Sequence, residues 1–135
     1  KIHSAFAGAR LLGASIAEAW LIHALVALLG SWMIARWYVS QPNAITAQNW
    51  LIILPLFALI LTPFQFSYDE GMIALALILL AKTKGLNQGG ERLAALLLWL
   101  WPFVGGILAS ALHLPLYPLL LLYMLERITQ KAGQQ

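Results

Sequence analysis

LAALLLWLWPFVGGILASAL, residues 93–112, is a run of twenty residues without a charge. An α-helix rises 1.5 Å per residue, so such a run covers about 30 Å, the thickness of a bilayer's hydrocarbon core. The rest of the chain repeats the theme less cleanly. Ala19 to Ala35 is a second apolar stretch, ending at Arg36 and flanked by Trp20, Trp32 and Trp37, which read as interface anchors. Trp50 to Thr62 is shorter and contains Pro55, Ser67 to Ala81 ends at Lys82 and Lys84, and Leu114 to Leu125 is shorter still.

The fold class that follows is all-α: a polytopic helical membrane protein with four to five transmembrane helices and an N-terminal interfacial helix. The expected membrane segments are 17–38, 48–63, 67–82, 92–112 and 114–127, with residues 1–14 as the interfacial helix and the whole of 1–135 as one membrane-embedded region. Composition points the same way. The chain of 135 residues is 61% hydrophobic and 10% charged, with a mean hydropathy of +0.81. Soluble domains carry roughly a quarter charged residues, and a chain this small has too little interior to hide so much apolar surface. Cysteine is absent, which removes disulfides and thiolate metal sites. The net charge of +3 is modest and scattered, so nucleic acid is not an expected partner. The chain opens on Lys1 without the continuous apolar core of a signal peptide, and it reads as the inside of a longer protein.

Between the apolar runs lie polar connections. SQPNAITAQN (40–49) carries a turn at Gln41-Pro42-Asn43, and Thr46 or Asn49 is placed to cap the next helix. KTKGLNQGGER (82–92) is a glycine-rich turn. Lysine and arginine collect on cytoplasmic loops, so Lys82, Lys84 and Arg92, together with Arg127 and Lys131, put the 82–92 loop and the C-terminus in the cytoplasm. Counting spans back sets Pro63 to Glu70 and His113 on the extracytoplasmic side, in the manner of a bacterial inner-membrane protein. Lys1, His3 and Arg10 fall on that side too, against the usual bias.

The chemistry concentrates in LTPFQFSYDEG, residues 61–71. Ser67-Tyr68-Asp69-Glu70 has the S-x-x-E form of a capping box, and both acids sit where a helix dipole is positive. A capped hairpin is therefore one complete account of it. Two carboxylates beside a membrane exceed what one cap needs, however, and Gln65 between Phe64 and Phe66 adds nothing to the cap. Aromatic rings with acid and amide oxygens are the usual means of binding a sugar, which makes Gln65, Tyr68, Asp69, Glu70 and His113 candidate substrate-binding residues. Adjacent Asp69 and Glu70 without further oxygen donors make a weak divalent-cation signal, and no cofactor is expected. Lys1, His3 and Arg10 supply the opposite charge. They read either as cations snorkelling to lipid phosphates or as the holders of a phosphate on a lipid-linked substrate. His23, inside the first span, is expected to bond a neighbouring helix. Gly105 with Ala109, and Gly106 with Ser110, have the spacing of close helix packing, and Pro102 that of a kink.

KIHSAFAGARLLGASIAEAWLIHALVALLG (1–30) and TPFQFSYDEGMIALALILLA (62–81) resemble two stretches of glycosyltransferase family 87, in the same order. Lys1 and Ser4 match the first motif, and Thr62, Pro63, Tyr68 and Asp69 the second. Ser67 departs where an acid is common, and Gln65 where an aliphatic residue is common. The resemblance implies a membrane enzyme of the GT-C class. Such an enzyme moves a sugar from a polyprenyl-phosphate donor to a lipid-linked or glycan acceptor at the extracytoplasmic face. It also implies a catalytic acid in an N-terminal half that this chain does not contain, so no catalytic residue is assigned within 1–135. Membrane lipids, a polyprenyl-phosphate-linked sugar and other membrane subunits are the implied partners. The alternative is a small non-catalytic membrane subunit packing in a larger complex.

Overall fold

In a computed structural model the chain is helical, and the structure describes residues 4–64, 69, 71–83, 85–112 and 116–132. Six α-helices and one short 3-10 turn account for the regular structure among the described residues. They are α1 (Ala5–Leu11), α2 (Ile16–Ser40), the turn Pro42–Ala44, α3 (Ala47–Leu61), α4 (Gly71–Thr83), α5 (Gly89–Leu112) and α6 (Leu116–Ala132).

Local chemistry starts these helices. Ser15 caps α2 through a full capping box with Glu18: its side chain accepts from the Glu18 amide, and the Glu18 carboxylate accepts from the Ser15 amide at 2.6 Å. Thr46, one of the two expected candidates, caps α3 by accepting from the Asn49 amide at 3.2 Å. Asn49 instead turns its side-chain amide back to the Ala44 carbonyl at 2.7 Å, which fixes the 3-10 turn against the helix it precedes. Pro55 is accommodated inside α3.

The helices run back and forth, each packing on its sequence neighbour, while α6 returns to lie against both α2 and α3. One apolar core joins them. Ile52, Ile53 and Leu56 of α3, Ile73 of α4, Leu98 and Trp101 of α5, and Leu121, Met124 and Leu125 of α6 are all buried in it. Helix α2 reaches this core through one stripe, Ala19, His23, Gly30, Met33 and Trp37, at helical spacing. At Gly30 the approach is so close that a Cβ would lie 2.9 Å from Ile60 Cγ2. The rest of α2 is apolar and outward: Leu21, Leu25, Leu28, Leu29 and Trp32 are exposed.

Among the described residues, α2 is the helix long and apolar enough to cross a membrane, and α3 and α4 are shorter apolar helices. The packing also corrects one assignment. Trp37 is not exposed, as an interface anchor would be and as Trp20 and Trp32 are; it is 2% exposed and packs edge-on to Trp50 at 5.2 Å. At Gly105 a Cβ would meet the indole of Trp101, one turn earlier in the same helix, at 2.5 Å.

Candidate functional site

Two polar regions sit at opposite ends of the bundle. The first forms where α1 meets the end of α3. Ser4 is 3% exposed; its hydroxyl accepts from the Ala7 amide at 3.2 Å, capping α1, and donates to the carbonyl oxygen of Pro63, 59 residues further on. Rings close around this bond. Phe6 lies 5.1 Å from Trp20 and 5.6 Å from Phe64, and Trp20 lies 6.0 Å from Phe64, so one aromatic cluster ties α1, α2 and the 62–64 turn together. His23 is 5% exposed, stands edge-on to Trp20, and brings Nε2 within 3.1 Å of the Leu61 carbonyl. That carbonyl belongs to the last turn of α3, where helical acceptors have no partner of their own. His23 thus bonds a neighbouring helix, as expected of it.

The candidate residues distribute unevenly around this end. Asp69 is partly buried, and its backbone carbonyl accepts from the Met72 amide at 3.2 Å as α4 begins. Arg10 is exposed and gives Nη1 to the Ala14 carbonyl at 2.6 Å, bracing the turn between α1 and α2. Gln65, Tyr68, Glu70 and His113 lie outside the described residues, as do Lys1 and His3, and so does the expected capping box at Ser67 to Glu70. The stretches 1–30 and 62–81 therefore meet through Ser4, Phe6 and Trp20 on one side and Pro63 and Phe64 on the other, with His23 bonded to Leu61 just ahead of the second stretch. Beside them, a hollow of about 470 Å³ opens at the α1–α2 turn, walled by Ala9, Leu12, Leu21 and Ile22 with Glu18 at its edge. Among the described residues no three His, Asp or Glu side chains group as a metal centre would require.

The second region, at the other end of the bundle, was not anticipated from the sequence. Glu91, in the first turn of α5, is 1% exposed. One carboxylate oxygen takes Arg127 Nε at 3.1 Å; the other takes Lys131 Nζ at 2.6 Å and the amides of Asn87 and Gln88 at 3.1 and 3.3 Å. Lys131 also donates to the Gly85 carbonyl at 2.9 Å, where Gly85 adopts φ +69 to end α4. Burial pushes the Glu91 carboxyl up. The Lys131 ammonium, the Gln88 amide and the Arg127 guanidinium together outweigh that and hold it below the ordinary carboxylate value. The polar chain continues outward. Arg127 Nη1 donates to Gln130, Gln130 donates to Glu126, and Glu126 accepts from Arg36 Nη2 at 2.7 Å. Arg36 in turn lies over the Trp32 ring at 4.9 Å. A glutamate three residues into a helix was the available sign, but its two cations come from residues 127 and 131, which only the tertiary fold brings near.

Around Glu91 this second cluster satisfies its own charges, and it ties the ends of α4, α5 and α6 together, with Arg36 joining α2 to it through Glu126. The first end, where buried backbone carbonyls, a histidine and aromatic rings converge, is the better candidate for chemistry. Comparison of the chain with family models, curated proteins and solved structures finds no match.

Proposed function

We propose that residues 1–135 form the later, lipid-embedded spans of a membrane glycosyltransferase that moves a sugar from a polyprenyl-phosphate donor to a lipid-linked or glycan acceptor at the extracytoplasmic face. The observation that carries this reading is the bond from Ser4 to Pro63. The two stretches that resemble glycosyltransferase family 87 are far apart in sequence, and in the fold they meet, ringed by Phe6, Trp20 and Phe64. A segment carrying Gln65, Tyr68, Asp69 and Glu70 leaves directly from that junction. The hollow beside it is walled largely by apolar side chains, as the hydrocarbon chain of such a donor requires.

In this reading α2 to α6 are the membrane spans, with the Glu91–Lys131 end cytoplasmic and the Ser4–Pro63 end outside. The exposed apolar residues of α2 then face lipid. Asp69 and Glu70 orient the acceptor sugar by accepting from its hydroxyl groups. Lys1, His3 and Arg10 bind the phosphate that departs when the acceptor oxygen attacks the anomeric carbon. The carboxylate base that takes the acceptor proton lies outside residues 1–135.

The test is sugar transfer by the full-length protein in membranes supplied with polyprenyl-phosphate sugar. Asp69→Asn lowers transfer at least tenfold in a protein that still inserts into the membrane and folds. Normal turnover in that variant reduces Asp69 to a helix-start residue and removes the reading. A second reading, a non-catalytic subunit, draws on the long exposed apolar face of α2, which a larger complex would cover. Copurification of a stoichiometric partner, with no transfer by the chain from any polyprenyl-phosphate sugar, would favour it.

A further inference from the structure

A second cavity, of about 210 Å³, lies between the end of α2 and α6, lined by Arg36, Trp37, Ser40, Gln41, Thr129 and Gln130. Two of these side chains bring buried polar atoms with no hydrogen-bond partner in the structure: Trp37 Nε1, a donor, and Gln41 Oε1, an acceptor. Leaving such atoms dry is unfavourable, and folded proteins seldom do so without a resident group to satisfy them.

The chemistry of the walls is bipolar. Arg36 presents a guanidinium whose Nη2 goes to Glu126, and its other nitrogens carry further donors. With Trp37 Nε1 it makes a donor side suited to an oxyanion. Thr129 has already given its hydroxyl proton to the Glu126 carbonyl at 2.9 Å, so its oxygen can only accept. Gln41 Oε1 completes an acceptor side. Next to the opening, Trp32, Leu28 and Leu29 expose apolar surface along α2.

We propose that this cavity binds a phosphoester head group that carries its own hydroxyl or ammonium donor. The phosphate oxygens sit against Trp37 Nε1 and Arg36, the donor end sits against Gln41 Oε1 and Thr129 Oγ1, and the acyl chains of a membrane lipid lie along the exposed face of α2. The lipid source rests on the reading of the bundle as membrane-embedded; the phosphoester chemistry does not. Ethanolamine and glycerol head groups satisfy both sides. A choline head group has no N–H or O–H to offer Gln41 and is too bulky to approach it.

The experiment uses the full chain, purified and delipidated in detergent, titrated with phosphatidylethanolamine, phosphatidylglycerol or phosphatidylcholine and read by native mass spectrometry. One equivalent of the first two binds saturably, about tenfold more tightly than phosphatidylcholine, because the choline head keeps the phosphate contacts but cannot donate to Gln41 Oε1 and Thr129 Oγ1. Trp37→Phe, which removes the donor and keeps a smaller aromatic ring in its place, weakens binding about tenfold, and Gln41→Leu does the same from the other side. Gln41 follows the last turn of α2, so that variant keeps its fold, and a thermal melt checks both. Soluble phosphoethanolamine and glycerol phosphate form a parallel arm: binding as tight as the lipid's keeps the chemistry and assigns a soluble source. Equal affinity for phosphatidylcholine, indifference to both substitutions, or no saturable binding in either arm overturns the proposal. Sugar transfer is not read at any step, so a specific lipid in a chain without transferase activity separates this site from the glycosyltransferase reading.

Discussion

Lys131 Nζ and Arg127 Nε converge on the two oxygens of one carboxylate, Glu91, at 2.6 and 3.1 Å, and that carboxylate is almost fully enclosed. The acid belongs to the first turn of α5 and both cations to the last turns of α6, so the triad joins the two helices at their shared end. Removing the acid would leave two cations facing each other in a poorly solvated corner. Glu91→Ala is expected to destabilise the fold by about 3 kcal/mol, the low end for a broken buried pair, since Lys131 and Arg127 keep some access to solvent. Thermal melting in detergent reads this directly. A loss below about 0.5 kcal/mol would mean that the triad contributes no more than a surface pair.

The same carboxylate sets a pH dependence. Its folded-state value is held below the ordinary 4.5 of an unfolded glutamate, despite burial, by Lys131, the Gln88 amide and Arg127. The folded protein therefore binds this proton less readily than the unfolded chain does. The stabilisation is fully present above the unfolded value and is lost as pH falls through the lowered folded one. Melting temperature should hold from pH 7 to about 5 and decline below that. In Glu91→Gln the decline should be shallower, because the substituted amide cannot titrate.

Ser4 performs two tasks with one hydroxyl, capping α1 and bonding the Pro63 carbonyl. Ser4→Ala removes both and is expected to cost about 1–2 kcal/mol. The effect should be local. Hydrogen exchange would quicken across α1 and at residues 61–64, while amides of α5 and α6 keep their protection. Uniform quickening over all helices would show that α1 is an integral part of the cooperative core and not a separately docked element.

How far the sequence foretells this arrangement varies with the kind of interaction. Caps are local, so Thr46 is identifiable three residues from the amide it binds. The helical class follows from apolar run length, which is also a local property. Burial direction is not. Trp32 and Trp37 lie on the same helix five residues apart, yet one is 55% exposed and the other 2%, because Trp50 and α6 happen to pack on one side only. The charge network is least legible, since Arg36, Glu91 and Glu126 to Lys131 come from three helices whose adjacency depends on α6 returning to α2. At the candidate site, the likeness of two stretches suggested that they belong together. The bond between Ser4 and Pro63 supplies the contact, and no periodicity in either stretch encodes it.

A close helix approach offers a final test, at Gly30 and Ile60. A methyl group on residue 30 would sit 2.9 Å from Ile60 Cγ2, and that atom belongs to a buried, β-branched side chain with little freedom to turn away. Gly30→Ala gains a little helix propensity, but overpacking of this kind costs about 1–3 kcal/mol, so the net change should be destabilising. Ile60→Ala alone opens a cavity in the core and should cost about 2–5 kcal/mol. Combined, the two should cost less than their sum, because the added methyl group occupies space that the isoleucine has vacated. A double-mutant cycle on melting stability measures this coupling. Strict additivity would mean that α2 and α3 are farther apart at this level than the fold requires.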